Sequence, residues 1–366
     1  MHVAIVGCGQ LARMMALAGW PMGHRFTFLA DPGESFICVE GLGRVVELEP
    51  ELNGRALYEA LGKPDVVTVE REHVNAARLS TLKPYCAVHP DPEAIKYCQH
   101  RGREKTFLNS LGIQTAPFHV ANNAEALFAG VKALGFPVFV KTCEEGYDGY
   151  GQWVLKCDED LNKLLAEADS LPEVVIEGRI EFERELSLIA ARNASGDCVF
   201  YPMTENHHRN GILWNSIAPA KAPDTLHAKA KKIADKILNA TEYVGVIAIE
   251  MFHSGDDLIV NELAPRVHNS GHWTQGAGIC SQFENHIRAI CDYGLGITIS
   301  SQHAGMVNLL GIEAPKAIVS ESNVQHHVYN KSLRPGRKVG HLNLVSADRA
   351  ELEAQLQRIC NSLYPG

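Results

Sequence analysis

The 366-residue sequence lacks the features that define several large protein classes. No stretch reaches the roughly 18 apolar residues of a membrane-spanning helix, so we predict no membrane partner. The ten cysteines occur singly, without a CxxC pair, so neither a zinc site nor a disulfide framework is indicated and we expect buried free thiols. A formal net charge of −9 argues against a nucleic-acid surface, and we predict no DNA or RNA partner.

Two further absences narrow the possibilities. The strand-like run HVAIVG begins at residue 2 and leaves no room for a signal peptide, so we expect a cytoplasmic protein. The pattern G-x-x-x-x-G-K-[ST] does not occur, which disfavours the P-loop NTPases. What is present is the composition of an ordinary globular protein, 46% hydrophobic and 21% charged, with room for two or three domains.

The order of strand-like and helix-like runs predicts a mixed α/β and α+β fold. Alternating runs over residues 1–100 predict a doubly wound parallel α/β domain. Residues 101–176 resemble a small α+β subdomain with a glycine-rich loop. A larger α+β subdomain follows at 177–298, and residues 299–366 form a β-rich C-terminal part with a basic turn.

A predicted β-hairpin carries two carboxylates, Glu250 and Glu262. Two apolar runs, 244–251 and 258–263, flank the turn sequence SGDD. A three-residue loop at 255–257 would place the carboxylates opposite each other, with β-carbons about 5 Å apart, whereas a two-residue loop would place them on opposite faces. Carboxylates that close repel, and hard oxygen ligands suit Mg²⁺, so the first register predicts a metal site.

The run Gly7 to Ala12 (GCGQLA) fits a dinucleotide-binding fingerprint, with Asp31 near the end of the next strand. Its mechanics require only a tight turn and exposed amides, which hold any phosphate or carboxylate. An NAD-binding site is therefore one interpretation of this run.

Other motifs suggest a nucleotide clamp and a phosphate site. Lys141 ends an apolar strand shortly before the loop GYDGYGQ at 146–152, and Glu177 ends the strand VVIE, where it could accept hydrogen bonds from a ribose. For His207 and His208 we expect hydrogen bonding at a cleft edge instead of metal binding, because adjacent strand side chains diverge. The basic turn at 331–338 is either solvated or binds a phosphomonoester.

Taken together, these motifs resemble the ATP-grasp superfamily and, within it, the ligases that carboxylate 5-aminoimidazole ribonucleotide in purine biosynthesis. The resemblance rests on GCGQLARM (7–14), TVEREHV (68–74), GYDGYGQ (146–152), NELAPRVHNSGHWT (261–274) and RPGRKVGHLN (334–343). Tyr150 stands where a basic residue is usual in the loop. The resemblance implies that ATP phosphorylates bicarbonate to carboxyphosphate, which then carboxylates the amine of the aminoimidazole.

The resemblance also implies a role for particular residues, in a protein expected to be a homodimer. Mg²⁺ would be held by Glu250 and Glu262. Bicarbonate would meet Arg266, His268 and Asn269, and the substrate amine would meet Glu72 and Tyr147. The ribose phosphate would meet Lys331, Arg334, Arg337 and Lys338, aided by amides near Gly9 and Gln10. ATP would be contacted by Arg101, Lys141, Gly146, Tyr147, Asp148, Gly149, Tyr150, Gly151, Gln152, Glu177, Gly178, Arg179, Ile180, Glu185, His208, Asn261 and Glu262.

Three alternatives remain open at this point. Another ATP-grasp ligase, such as a formate-dependent glycinamide ribonucleotide transformylase, would share the hairpin and the loop. An NAD(P)-dependent dehydrogenase would use the glycine fingerprint but leaves the paired carboxylates unexplained. A nucleotide-binding regulator would bind ATP without turnover.

Overall fold

The fold is described from a computed structural model, which covers residues 1–144, 151–166 and 172–365. The predicted loop residues 146–150 lie outside this range. Among the helices in these ranges, none combines the length and the apolar character needed to cross a bilayer.

The N-terminal region forms a five-stranded parallel sheet, which confirms the predicted α/β domain. Its central strands are buried on both faces; Ile5 and Phe28, for example, are fully inaccessible. In the order β3-β2-β1-β4-β5, the strands are β1 (His2–Val6), β2 (Arg25–Ala30), β3 (Arg44–Glu47), β4 (Val66–Val69) and β5 (Ala87–Val88). The helices are α1 (Gln10–Gly19), a 3-10 turn (Trp20–Met22), α2 (Gly54–Ala60), α3 (Ala76–Ser80), α4 (Pro92–Cys98) and α5 (Arg101–Ser110).

A four-stranded antiparallel sheet forms the small subdomain. Its strands, in the order β6-β9-β7-β8, are β6 (Phe118–Ala121), β7 (Val138–Thr142), β8 (Gln152–Leu155) and β9 (Val174–Gly178), and its helices are α6 (Ala124–Leu134) and α7 (Asp158–Ala166). The predicted boundary after residue 176 therefore falls inside β9, because the apolar run of that strand continues to Gly178.

A nine-stranded sheet joins the large subdomain to the C-terminal part. Eight strands follow the order β15-β14-β10-β12-β13-β16-β18-β17, and β11 pairs with β10. The strands are β10 (Arg184–Arg192), β11 (Cys198–Phe200), β12 (Thr204–Arg209), β13 (Ile212–Ala218), β14 (Gly245–Ser254), β15 (Asp257–Ala264), β16 (His303–Leu310), β17 (Val324–Val328) and β18 (Lys338–Ser346). The helices are α8 (Asp224–Ala240), a 3-10 helix (Asn269–Gln275), α9 (Gln282–Ile290), α10 (Lys316–Val319) and α11 (Arg349–Leu363).

The β14–β15 hairpin combines the two-residue loop of one alternative with the carboxylate pairing of the other. Ser254 pairs with Asp257, so the loop has two residues and not three. With an unbroken register, that loop would place the carboxylates on opposite faces. A β-bulge intervenes: Met251 pairs with Val260 while Glu250 pairs with Glu262, which leaves one extra residue between them. The bulge restores the predicted pairing.

Helix α9 connects the N-terminal domain to the large sheet. Phe283 and Ile287 of α9 share a core cluster with Leu11 and Met15 of α1. His286 of α9 also hydrogen-bonds to Thr68 of β4 (2.8 Å) and accepts from the backbone amide of Val246 in β14 (3.0 Å). The helix therefore fixes the N-terminal domain against the strand that carries Glu250.

Candidate active site

One cavity of about 850 Å³ is lined by the N-terminal domain, the small subdomain and the large sheet. The predicted site residues that line it come from all three parts: Glu72, Arg101, Lys141, Gln152, Glu177, Gly178, Arg179, Ile180, Glu185, His208, Glu250, Asn261, Glu262, Arg266, His268, Asn269 and Lys338. Gly151 lies beside this lining, where its carbonyl accepts the amide of Thr142 (2.9 Å). Besides Gly151, five predicted residues in the described part of the chain do not line the cavity, namely Gly9, Gln10, Lys331, Arg334 and Arg337. Gly146, Tyr147, Asp148, Gly149 and Tyr150 lie outside the described residues.

The paired carboxylates Glu250 and Glu262 lie opposite each other, and the pKa of Glu250 is raised. Burial, and next the charge of Glu262, raise the pKa of Glu250 to about 7. His268 lies 3.7 Å from a Glu250 oxygen and has its own pKa lowered to about 3 by burial and the nearby Arg266 and Lys338. Two paired carboxylates, which offer only oxygen ligands, fit a hard divalent cation such as Mg²⁺.

Two lysines hold Glu177 from opposite sides. Lys141 lies 2.7 Å from one carboxylate oxygen and Lys105 lies 2.9 Å from the other. Burial by itself would raise the pKa of Glu177, but the lysines outweigh it and hold the pKa at about 2. Both oxygens are therefore occupied by ammonium groups, and Glu177 orients Lys141 at the cavity wall. Its predicted contact with the ATP ribose stays a prediction.

Lys105 and Glu104 were not identified from the sequence. Lys105 is 1% exposed and also donates to the carbonyl of Asn261 (3.2 Å). Glu104 accepts the amide of Leu263 (2.7 Å), and burial raises its pKa to about 8. Both lie in the charged run REKTF, which is typical of a solvated helix face. Nothing in that run indicates that β15 covers it.

Arg266 and Glu72 form a two-point ion pair across the cavity. The Nε and Nη2 atoms of Arg266 both contact the Glu72 carboxylate, the second at 3.2 Å. Burial works against ionisation of Glu72, but the guanidinium dominates and lowers its pKa to about 2. Such a carboxylate accepts hydrogen bonds but is a poor proton acceptor at neutral pH.

His268 and Asn269 begin the 3-10 helix that follows β15. The Asn269 and Asn308 side-chain amides exchange two hydrogen bonds, at 3.0 and 2.6 Å. Farther along the cavity, His208 lies 2.9 Å from Glu185. Burial lowers the pKa of His208, but Glu185 reverses the shift and the net change is upward. The His208–Glu185 contact is an ion-pair contact, whereas the hydrogen bond of this histidine pair is made by His207, whose Nδ1 lies 2.8 Å from the Asn215 side-chain oxygen.

The glycine fingerprint binds a carboxylate of the protein itself. Glu70 accepts the amides of Gly9 (2.5 Å) and Ala12 (2.9 Å) at the start of α1. A β-carbon at Gly7 or Gly9 would lie 2.5 or 2.8 Å from the Glu70 side chain, which explains the need for glycine at both positions. The amides that a dinucleotide phosphate would use therefore already have a partner, and the Gly9 amide meets Glu70 in place of substrate.

The basic turn faces the start of α1. Lys331 donates to the side-chain oxygen of Gln10. Burial is the main cause of a lowered pKa at Lys331, and the neighbouring charges of Arg337 and Lys338 contribute. Lys331 is thus the cation that contacts Gln10, with the charges of Arg337 and Lys338 near it, while Arg334 lies exposed on the turn. Of these residues Lys338 lines the main cavity, whereas Lys331, Arg334 and Arg337 lie beyond its lining, and their contact with a phosphate stays a prediction.

Family models cover most of the chain. A ribonucleotide synthetase preATP-grasp domain matches residues 1–99, an ATP-grasp domain matches 106–283, and a phosphoribosylaminoimidazole carboxylase C-terminal domain matches 304–355.

Full-length relatives give the same result. The N5-carboxyaminoimidazole ribonucleotide synthase of Pseudomonas aeruginosa is 39% identical over 360 residues, covering 98% of both chains. The crystal structure of the corresponding synthetase from Thermus thermophilus superposes with a TM-score of 0.91 at 40% identity, covering 100% of this chain and 99% of that one. The synthase from Aspergillus clavatus, solved with ADP and 5-aminoimidazole ribonucleotide, superposes with a TM-score of 0.87 at 27% identity, covering 99% and 98%.

Proposed function

The chain belongs to the family of N5-carboxyaminoimidazole ribonucleotide synthases, and we propose that the residues of its cavity divide the work of this reaction among nucleotide, bicarbonate and ribonucleotide sites. The protein is an ATP-grasp ligase that carboxylates 5-aminoimidazole ribonucleotide at the expense of ATP, in purine biosynthesis. The observation that carries the division of the site is that the carboxylate pair, the Lys141 clamp and the His268 segment line one cavity.

The nucleotide site lies between the small subdomain and the large sheet. Lys141, fixed by Glu177, supplies a positive charge for the phosphates, and Arg101 and Gln152 line the same wall. Lys105 fixes Glu177 in turn, so a buried lysine sets the position of the exposed one. We assign the segment from Gly178 to Ile180 and the His208–Glu185 pair to the rest of the nucleotide contacts.

Glu250 and Glu262 are assigned as the ligands of Mg²⁺. When bound, the cation neutralises charge on the phosphate oxygens of ATP during phosphoryl transfer. The bulge places both carboxylates opposite each other, and the pKa of Glu250 is raised first by burial and next by the charge of Glu262, which a bound cation would offset.

Bicarbonate is assigned to Arg266, His268 and Asn269. A small anion next to ATP needs donors that offset the repulsion between them, and these three side chains lie at the same end of the cavity. His268 acts there as a neutral donor, because its pKa of about 3 keeps the ring uncharged at neutral pH.

The ribonucleotide is assigned to the side of the cavity that faces the N-terminal domain. Glu72 accepts a hydrogen bond from the substrate amine without taking its proton, since Arg266 holds its pKa low. Tyr147 remains a candidate for the same amine. Lys331, Arg337 and Lys338 bind the phosphate, and Arg334 adds positive charge to the turn. Lys331 exchanges its hydrogen bond to Gln10 for one to the phosphate.

We further propose a homodimer in the cytoplasm. Ile297 and Ile299 are 72% and 74% exposed on the segment after α9, as expected of side chains covered by a second copy. All ten cysteines are free, which suits a reducing compartment. Sedimentation velocity of the purified chain tests the dimer; a monomer at micromolar concentration contradicts it.

ADP release by the purified protein with Mg²⁺-ATP tests the proposed function. Release should require both bicarbonate and 5-aminoimidazole ribonucleotide for full rate, and formate with glycinamide ribonucleotide should give none. Stimulation by formate and glycinamide ribonucleotide would instead assign the transformylase activity.

A further inference from the structure

A buried glutamine of helix α9 hydrogen-bonds to the backbone of His268 at two points. The side-chain oxygen of Gln282 accepts the His268 amide (2.9 Å), and its side-chain nitrogen donates to the His268 carbonyl (2.6 Å). The same nitrogen lies 3.1 Å from Nδ1 of His272. Gln282 is completely inaccessible to solvent, so it serves no ligand directly.

The residues around Gln282 leave room for these two hydrogen bonds and hold the glutamine in place. A β-carbon at Gly271 would lie 2.6 Å from the Gln282 oxygen, so only glycine permits the glutamine to approach. The backbone amide of Gln282 donates to the Thr274 hydroxyl (3.0 Å), which in turn donates to the Gly271 carbonyl (2.7 Å). Every polar atom of the Gln282 side chain thus contacts the segment 268–272.

A directed series of hydrogen bonds orients the imidazole ring. An amide nitrogen can only donate, so Asn206 donates to the Ser187 hydroxyl (2.9 Å), and Ser187 donates to the Ser270 hydroxyl (2.9 Å). Ser216 donates to the Asn206 oxygen (2.8 Å), which fixes the orientation of that amide.

The series ends at Nδ1 of His268, and Ser187 lies opposite Glu250 in the sheet. The Ser270 hydroxyl lies 3.0 Å from Nδ1, and the Ser270 backbone amide donates to it (3.3 Å). Because Nδ1 accepts, the proton of the neutral ring is on Nε2.

We propose that Gln282 is a positioning residue for the carboxylation reaction. It holds His268 so that the ring offers Nε2–H to bicarbonate, and the Asn206–Ser187–Ser270 series selects that tautomer. This inference rests on the proposed function, in which bicarbonate meets His268. It also gives α9 a functional role, because the helix that fixes the N-terminal domain carries the group that fixes the bicarbonate segment.

Gln282→Glu in the full-length protein tests the two hydrogen bonds between Gln282 and the His268 backbone. The change preserves volume and the acceptor for the His268 amide but replaces both N–H donors with an oxygen that faces the His268 carbonyl and His272. We expect the KM for bicarbonate to rise at least tenfold while the KM for ATP stays within twofold. Gln302→Glu, on an exposed loop, adds the same charge and should leave both constants unchanged.

The controls separate the possible failures. Gln282→Asn keeps the amide but withdraws it by one methylene, and should show the same split more weakly if the glutamate variant does not fold. Equal changes in both KM values, or none, would overturn the positioning role. Wild-type ADP release that does not depend on bicarbonate would instead remove the proposed function.

The tautomer is measured independently of activity. Nitrogen-15 spectra of wild-type protein labelled at histidine, with the His268 signals assigned by their loss in His268→Asn, should show a bare Nδ1 and a protonated Nε2. A protonated Nδ1 would refute the series of hydrogen bonds, even if no Gln282 variant could be purified.

Discussion

Replacing Glu262 by glutamine should make the metal-free protein more stable while largely abolishing turnover. In the folded chain the pKa of Glu250 rises from 4.5 to about 7, chiefly through burial and next through Glu262. That difference corresponds to about 3 kcal/mol. Because the folded pKa is the higher one, the folded state binds the Glu250 proton more tightly than the unfolded state does. The stability from this proton is fully present below pH 4.5 and is lost as the pH rises through about 7.

The expected gain in stability depends on how much of the Glu250 pKa shift is caused by Glu262. Glu262→Gln removes the second-largest cause of the shift without changing volume, so at pH 8 in EDTA it should recover about 1 kcal/mol, or roughly 2 °C in Tm. In excess Mg²⁺-ADP the wild type should be the more stable of the two proteins, since the variant has lost a ligand charge and is stabilised less by the complex.

Thermal unfolding at pH 8 and ADP release together decide the matter. Asp256→Asn, at the exposed tip of the same hairpin, removes one charge outside the cavity and should change neither measurement appreciably. A variant that is less stable than wild type in EDTA would refute the repulsion between Glu250 and Glu262. Undiminished turnover would refute the metal assignment.

Three further outcomes are expected. Lys105→Met leaves buried Glu177 with one lysine and should lower the free energy of unfolding by about 3 kcal/mol, measured in urea; an unchanged midpoint contradicts this. The pKa values of Glu177 and Glu72, both about 2, predict that the free energy of unfolding falls as the pH drops from about 4.5 to 2. Arg266→Met leaves Glu72 without its partner, so urea titrations of this variant should show a shallower fall over the same pH range. Lys331→Met should raise the KM for 5-aminoimidazole ribonucleotide at least tenfold without changing that for ATP; equal changes in steady-state rates would argue against the phosphate assignment.

The sequence predicted the carboxylate pair but could not locate what makes the pair possible. In the run LIVNEL the polar residues Asn261 and Glu262 are adjacent after three apolar residues, so no regular alternation reveals a one-residue bulge, and neither loop length considered from the sequence included one. The parallel N-terminal sheet was predictable, because βαβ alternation depends on local patterns.

Other features depend on long-range packing. Lys105 looks solvated in its helix, and it is buried by packing against strands that are distant in sequence, with contacts to Glu177 of β9 and Asn261 of β15. Gln282 lies 14 positions from His268 in an unremarkable helix start, and no local pattern indicates its contacts.

The order of strands in the nine-stranded sheet determines its shape. Five strand-to-strand steps separate β15 from β16, which in a flat sheet would span about 24 Å. Yet Asn269, just beyond β15, hydrogen-bonds to Asn308 of β16 at 3.0 Å, and the indole N–H of fully buried Trp273 reaches Thr204 of β12 at 2.9 Å. The 3-10 helix therefore crosses the face of the sheet and links the end of β15 to β12 and β16. Glu250, Glu262 and Lys338, which we assign to the metal and to the phosphate, then belong to one hydrogen-bonded sheet, so a rotation of rigid domains would not separate them.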